Sequence, residues 1–141
     1  MGDLSQWAAW AAAVTSMATL VVTTVVGGRR EQRKWARDAL TDAFVGFLEA
    51  SWAHSDTVRA LPDDQVNHSA RTQEYYAEMR SQLTRLRLLA SPQVLEAGKE
   101  LLRCQRAVQD APPGVRREQA LVDAARSRRL VVEAAKREMG L

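Results

Sequence analysis

The residues best suited to chemistry in this sequence are one cysteine, two histidines and two glutamates one helical turn apart. Glu74 and Glu78 have a spacing that acid–base catalysis could use, but a metal site in a helical bundle also needs Glu-x-x-His pairs. The chain has no Glu-x-x-His, and no phosphate loop, HExxH, paired cysteines or GxSxG. We interpret the two glutamates as exposed side chains and expect no enzyme, metal or cofactor.

Cys104 and His54 each admit a chemical and a structural interpretation. Cys104 could be a nucleophile or carry an acyl group, but its neighbours Leu101, Leu102 and Ala107 indicate a small buried side chain. His54 could sense pH or bind a ligand, yet it has no acidic or cysteine companion at ligand spacing, which favours a hydrogen-bonded interior residue. A single cysteine excludes an internal disulfide and fits a reducing cytoplasm.

The longest uncharged stretch of the chain runs from Leu4 to Gly28. As a helix rising about 1.5 Å per residue it would measure roughly 37 Å, enough to cross a hydrocarbon core of about 30 Å with some tilt. The mean hydropathy of −0.31 hides this stretch by averaging it with a charged remainder. The sequence therefore predicts a transmembrane anchor over residues 1–28 and one domain over residues 29–141.

Aromatic and basic residues flank this stretch in the pattern of a membrane interface. The predicted interface residues are Trp7 and Trp10 at the outer end and Arg29, Arg30, Arg33, Lys34, Trp35 and Arg37 at the inner end. Because only Asp3 is charged before the stretch, the positive-inside rule places the amino terminus outside and the bulk of the chain in the cytoplasm. A cleaved signal peptide, whose basic residues would precede the apolar core, and a buried soluble helix are the alternatives.

Small residues recur at three- and four-residue spacing inside the predicted span. They form a ridge that would let a second helix approach closely, and the predicted packing residues are Ala8, Ala12, Thr15, Thr19 and Thr23. The alternative is that alanine and threonine are simply common here, with hydroxyls bonding back to the preceding turn. The ridge thus leaves both self-association or partner packing and incidental composition open.

Apolar residues at alternating three- and four-residue steps predict four amphipathic helices and no strand. Gly27 and Gly28 suggest a flexible joint or a helix break, and Ser91 with Pro92 has the residue types of a capped helix start. The first predicted helix ends at about Ala60, before Pro62. The second runs from about Gln65 or Ser69 to Ala90, the third from Pro92 to about Asp110, and the fourth from about Val115 to Met139. Short connections between them favour an all-α, antiparallel four-helix bundle.

The apolar stripes of these helices supply the predicted bundle core. The core residues are Leu40, Phe44, Phe47, Met79, Leu83, Leu86, Leu101, Val108, Leu121 and Val131. In the first helix the stripe continues through Ser51 and His54 to Val58, in the spacing of a coiled coil.

Up-and-down threading would place Arg85, Arg87, Lys136 and Arg137 toward the bilayer and Asp56, Asp63 and Asp64 at the far end. This polarity suits anionic membrane lipids as partners, although charged helix faces are often merely solvated. The pI near 9.5 invites a nucleic-acid interpretation. The net charge is only +3, however, and acidic residues interrupt the arginines of the last helix, so we expect no nucleic-acid partner. No small-molecule substrate is evident either.

Two segments carry a resemblance. The uncharged stretch running into Arg29, Arg30, Glu31, Gln32 and Arg33, and the segment from Leu83 to Leu102, LTRLRLLASPQVLEAGKELL, resemble small single-span membrane proteins with a cytoplasmic helical bundle from high-GC Gram-positive bacteria. Usage rich in alanine and arginine agrees with such a genome. The resemblance implies an architecture and a location, and it carries over no functional residue.

Two functions are compatible with these features. The first is a membrane-anchored helical adaptor at the cytoplasmic face of the inner membrane, which recruits a protein partner or associates with itself. The second is a small oligomerising membrane effector of the toxin or phage-defence type, in which threonine-rich spans assemble and perturb the bilayer. A pore would need several copies with a polar stripe facing inward, so changing Thr15, Thr19 and Thr23 to leucine would distinguish the two functions. We favour the adaptor.

Overall fold

The computed structural model describes residues 3–60 and 65–141, with side chains described from residue 27 onward. Within those residues the chain forms four α-helices and no strand. The helices are α1 (Asp3–Arg59), α2 (Gln65–Leu89), α3 (Pro92–Asp110) and α4 (Val115–Met139). The prediction of an all-helical bundle is confirmed.

The chain divides into two compact units, Met1–Arg37 and Asp38–Leu141. The second unit holds the helical bundle, which consists of α2, α3, α4 and the part of α1 that begins at Asp38. The first unit contains the rest of α1 and the basic residues that follow the uncharged stretch.

The predicted joint at Gly27 and Gly28 is wrong, because α1 continues through both glycines without interruption. Each glycine in a helix interior costs up to about 1 kcal/mol relative to alanine, but extending an existing helix needs no new nucleation. Neither glycine has a positive φ, since only Gly114 and Gly140 have one among the residues described. Two adjacent glycines were therefore not enough to end this helix.

The start of α3 has the predicted position but a different capping partner. Pro92 occupies the first turn and Ser91 stands at the N-cap, yet its hydroxyl makes no capping hydrogen bond. Instead, the backbone N–H of Ser91 donates to the Glu138 carboxylate at 2.9 Å. A side chain from the end of α4 thus contacts the start of α3.

Side-chain contacts fix the direction of each helix relative to α1. The Thr41 hydroxyl donates to Met139 Sδ at 3.7 Å, whereas Arg128 Nε donates to Ser51 Oγ at 3.0 Å. Residue numbers in α4 therefore fall as those in α1 rise, so that these two helices run in opposite directions.

Contacts with α1 also fix the directions of α3 and α2. A Cβ added at Gly98 of α3 would lie 3.8 Å from the Phe47 ring, and Gln105 contacts His54, so α3 runs parallel to α1. A Cβ added at Gly46 would meet Gln82 of α2, and the Tyr76 ring lies 6.3 Å from that of His54, so α2 runs antiparallel to α1.

The buried interior consists of two apolar clusters with polar residues between them. All four helices contribute to the larger cluster, which contains Leu40, Ala43, Phe44, Phe47, Ala50, Met79, Leu83, Leu86, Val94, Leu101, Val131 and Ala135. Three helices contribute to the smaller one, which contains Val58, Cys104, Val108, Leu121 and Ala124. The intervening positions in α1, α3 and α4 are polar and buried, and we call Ser51, His54, Ser55, Gln105 and Arg128 the polar layer.

Candidate functional site

The polar layer places polar and charged side chains at core positions, which apolar side chains usually occupy. Its five residues are at most 8% exposed, and His54, Ser51 and Gln105 are fully buried. A buried polar group without a hydrogen bond costs free energy, so such residues must satisfy one another.

Gln105 is the centre of this network. Its side-chain nitrogen donates to the Ser51 carbonyl at 3.0 Å and to Ser51 Oγ at 2.7 Å, and it lies 3.1 Å from Ser55 Oγ. Because a carbonyl only accepts hydrogen bonds, the amide must face Ser51 with its nitrogen. Its oxygen then faces Nδ1 of His54 at 2.8 Å. Gln105 thereby joins α3 to α1 at two successive turns.

This arrangement determines the protonation of His54. Since Gln105 Oε1 is an acceptor, Nδ1 carries the hydrogen of the neutral ring and Nε2 presents a lone pair. Neither Nε2 nor the side-chain oxygen of Gln109 has a hydrogen-bond partner among the described residues. Burial lowers the pKa of His54 and the positive Arg128 lowers it further, against the opposing hydrogen bond with Gln105. The interpretation of His54 as a hydrogen-bonded interior residue is confirmed.

Arg128 brings a positive charge into the layer from α4. Its Nε donates to Ser51 Oγ, and one terminal nitrogen donates to Ser55 Oγ at 2.9 Å and to the Ser51 carbonyl at 3.3 Å. All of these acceptors are neutral. Burial lowers the pKa of Arg128, and the nearby positive charge of Arg59 adds to the effect, against the opposing negative charge of Asp56. The bundle thus holds a guanidinium that hydrogen bonds satisfy in part and that no carboxylate in the described chain neutralises within 4 Å.

Trp52 covers the outer side of this guanidinium. The Arg128 guanidinium carbon lies 5.6 Å from the centre of the Trp52 ring, within the range of a cation–π interaction. The indole itself is 49% exposed, which is high for a large aromatic side chain. The polar layer therefore reaches the surface at Trp52.

A groove of about 390 Å³ opens beside this tryptophan. We call it the α1/α4 groove, and the structure lines it with Trp52, Ala125, Arg128, Arg129, Val132 and Glu133. Two exposed valines, Val45 and Val122, stand seven residues before Trp52 in α1 and three before Ala125 in α4, on the same helix faces. The groove combines an exposed aromatic ring, apolar walls and a cation, which suits the binding of another chain.

The structure brings all the predicted core residues into the interior. Each of the ten is at most 8% exposed, and they are distributed over all four helices. Ten residues share this burial: Leu40, Phe44, Phe47, Met79, Leu83, Leu86, Leu101, Val108, Leu121 and Val131.

Of the residues predicted to face the membrane, only those at the inner interface have side chains that the structure describes. The side chains of Trp7, Trp10, Ala8, Ala12, Thr15, Thr19 and Thr23 lie outside the described residues. The inner interface set is exposed, with Trp35 at 69% and Arg29, Arg30, Arg33, Lys34 and Arg37 beside it. In the stretches whose side chains are described, 27–60 and 65–141, no helix has the length and apolarity to cross a membrane. Residues 4–26 of the predicted span are outside those stretches.

The basic residues expected at one end of the bundle do share an end. Arg87 is in the last turn of α2, and Lys136 and Arg137 are in the last turn of α4. Both helix ends lie toward the Thr41 end of the α1 part of the bundle, because Met139 contacts Thr41 and the antiparallel α2 has Gln82 beside Gly46. All three cations are exposed, as is Arg85, whereas Asp56 lies toward the other end and Asp63 and Asp64 lie outside the described residues.

The residues with candidate chemistry show no reactive arrangement. Cys104 is 7% exposed and burial raises the pKa of its thiol, so the interpretation as a small buried side chain is confirmed. Glu74 is exposed and Glu78 accepts a hydrogen bond from Gln82 at the surface. Across the described residues, no group of three or more His, Cys, Asp or Glu side chains could hold a metal ion.

Sequence reasoning missed Gln105, Arg128 and Trp52 as parts of one site. A signal was present for the first two, because each occupies a core position of its apolar stripe. Gln105 stands between Leu101 and Val108, and Arg128 lies four residues after Ala124 and three before Val131. A polar residue at such a position predicts a buried hydrogen-bonded group, although the stripe cannot name its partners.

Comparison of the chain with protein-family models, with curated proteins and with solved structures finds no match.

Proposed function

We propose that this chain is a membrane-anchored adaptor, in which the uncharged stretch from Leu4 to Gly28 holds the helical bundle at the cytoplasmic face of the membrane and the bundle binds a protein partner. The single observation that supports partner binding is the half-exposed Trp52 on the α1/α4 groove. Tryptophan is enriched among the residues that dominate binding energies at protein interfaces.

Anchoring is supported by the sequence pattern and by one feature of the fold. The basic residues that follow the uncharged stretch are exposed, as positive-inside flanking residues would be. Because α1 is a single helix from Asp3 to Arg59, the same helix contributes both the proposed anchor and the face that bears Trp52. We assign the antiparallel four-helix arrangement to the cytoplasmic body of the adaptor.

Fractionation of cells tests the anchor. The full-length chain with a carboxy-terminal tag should remain in the membrane pellet after washes with high salt and with alkaline carbonate, and detergent should release it. Protease should remove the tag only after the cells are permeabilised. Recovery of the full-length chain in the aqueous fraction, or loss of the tag from intact cells, would contradict the proposal.

The same cells distinguish an adaptor from a membrane effector. We expect overproduction to leave growth and membrane potential unchanged, because an adaptor does not permeabilise the bilayer. A fall in membrane potential that disappears when Thr15, Thr19 and Thr23 are changed to leucine would instead establish the effector.

A further inference from the structure

We infer that the α1/α4 groove binds a helix of another protein through a carboxylate side chain that neutralises Arg128. This inference rests on the proposed adaptor function and names the chemistry of its partner.

Arg128 has no ion pair within 4 Å among the described residues, and Asp56 attracts it only from a greater distance. The acceptors of Arg128 are the two serine hydroxyls and a carbonyl, and none carries a charge. Surface arginines of the same bundle are treated differently, since Arg103 contacts Glu100 at 2.6 Å and Arg106 contacts Asp110 at 3.2 Å. The most buried guanidinium of these is therefore the one that lacks an acid.

The carboxylate that lines the groove, Glu133, and the one that acts on Arg128 from a distance, Asp56, already have partners. Asp56 pairs with Arg59 at 3.5 Å, and Glu133, which lines the groove, pairs with Lys136 at 3.9 Å. Arg129 adds a further positive charge at the groove wall. The groove thus has an excess of positive charge that an incoming carboxylate complements.

The second terminal nitrogen of Arg128 supplies the binding position. The hydrogen bonds to α1 use Nε and one terminal nitrogen, which leaves the other without an acceptor among the described residues. Arg128 is 8% exposed and lines the groove, so its guanidinium is within reach of a ligand bound there. A carboxylate there would accept a charge-assisted hydrogen bond.

The shape of the groove indicates that the carboxylate arrives on a helix. Ala125 and Val132 stand seven residues apart on α4, so they present small apolar walls about 10 Å apart along the helix axis. Trp52 forms the opposite wall from α1. Such a groove between two helices accepts the apolar face of a third, with anchors at helical spacing. The partner is therefore an amphipathic helix with an aspartate or glutamate among small and apolar residues.

Photocrosslinking in the native membrane tests this inference with the full-length chain. The probe is p-benzoylphenylalanine introduced at Val132, and the crosslinked product is mapped by mass spectrometry. We expect the crosslink to fall on a helical segment of another protein, within one turn of an Asp or Glu. Changing that acid to its amide should reduce the yield at least tenfold. A crosslink to a second copy of this chain, to lipid or to nothing would overturn the inference.

Variants of this chain connect the crosslink to Arg128. Arg128→Gln should reduce the yield at least tenfold, whereas Arg126→Gln, on the same helix but outside the groove, should change it less than twofold. Trp52→Ala should reduce the yield at least fivefold, and because Trp52 lies at the surface this variant serves even if Arg128→Gln fails to fold. Full yield in folded Trp52→Ala would overturn the inference.

A second probe position separates this inference from the proposed function. Leu88 is 83% exposed on α2 and does not line the groove. If the probe at Leu88 captures a protein partner and the probe at Val132 does not, the adaptor function stands and the groove assignment is wrong. If neither position captures a protein, both proposals fail.

Discussion

The imidazole of His54 lies 2.8 Å from the side-chain oxygen of Gln105, although 51 residues separate them in the chain. Both side chains are fully buried. This contact joins α1 to α3 in the plane between the two apolar clusters, where Arg128 enters from α4. A buried network in which the members satisfy one another specifies one arrangement of helices, because any other arrangement leaves polar groups unpaired.

Gln105→Ala should destabilise the bundle strongly. The substitution removes the donor to Ser51 and the acceptor for His54, and each unsatisfied buried group costs about 1–3 kcal/mol. We expect the free energy of unfolding to fall by about 3 kcal/mol in total. Urea unfolding of the full-length chain in mild detergent, followed by circular dichroism, measures it. Gln119→Ala is the control, because Gln119 is exposed and bonds only Asp123; similar losses in both variants would contradict the central role of Gln105.

The burial of His54 predicts a loss of stability in weak acid. Its pKa in the folded chain is lower than the ordinary value of 6.5, so just below pH 6.5 the unfolded chain binds a proton that the folded chain does not. The free energy of unfolding should therefore fall as pH falls below that value, by at most about 1.4 kcal/mol per pH unit, and should not depend on this group at higher pH.

The groups facing His54 are Tyr76 of α2, Gln105 and Gln109 of α3, and Arg128 of α4. Arg128 keeps its charge throughout this range, so the imidazole is the group that titrates. Urea unfolding of the full-length chain between pH 7.5 and 5.5 measures the slope. His54→Gln should flatten it and His68→Gln should retain it, and an unchanged slope in His54→Gln would show that another group is responsible.

We expect alanine to have different effects on the unfolding free energy at Gly98, which is buried, and at Gly46, which is half-buried. At Gly98 a Cβ would lie 2.8 Å from Leu83 Cδ1, and Leu83 is itself in the core, so overpacking costs about 1–3 kcal/mol. At Gly46 the Cβ would meet the end of the Gln82 side chain at 2.9 Å, which can move toward solvent.

We expect Gly98→Ala to lower the unfolding free energy by about 1 kcal/mol after the helix-propensity gain, and Gly46→Ala to raise or leave it unchanged. Thermal unfolding of both variants against the parent chain gives the comparison. A stabilised Gly98→Ala variant would mean that Leu83 can change rotamer without cost.

Glu138→Ala should weaken the junction between α3 and α4. The carboxylate accepts the backbone N–H of Ser91 at 2.9 Å, and the Ser91 hydroxyl does not replace it as a cap. We expect a loss of about 1 kcal/mol in unfolding free energy. Glu96→Ala removes a surface carboxylate that pairs with Lys99 and should cost less than about 0.5 kcal/mol. Hydrogen exchange at the first turn of α3 should accelerate in Glu138→Ala alone; unchanged exchange there would contradict a capping role.

Local rules in the sequence predicted most of the helical framework. Pro92 and the Pro112–Gly114 break delimit α3, because proline cannot continue a helix in its interior and this segment has no competing strand pattern. The spacing of apolar residues placed Phe47, Leu101 and Val131 inside, since the helical period determines which residues share a face. The same rules overestimated the tendency of Gly27 and Gly28 to break a helix, because a helix that is already formed on both sides continues through them at a modest cost in free energy.

Only the tertiary structure decided what the polar core residues do. The helical period puts Gln105 and Arg128 on inward faces, but contacts across 54 and 77 residues with Ser51 depend on how the helices rotate and slide against one another. The spacing of residues within one helix does not determine how that helix is rotated or shifted against its neighbours. The uncharged stretch, the basic flank and the positions of the core were thus readable from the chain alone. The exposure of Trp52 over a buried cation arises because side chains from α1 and α4 meet, and packing alone determines that meeting.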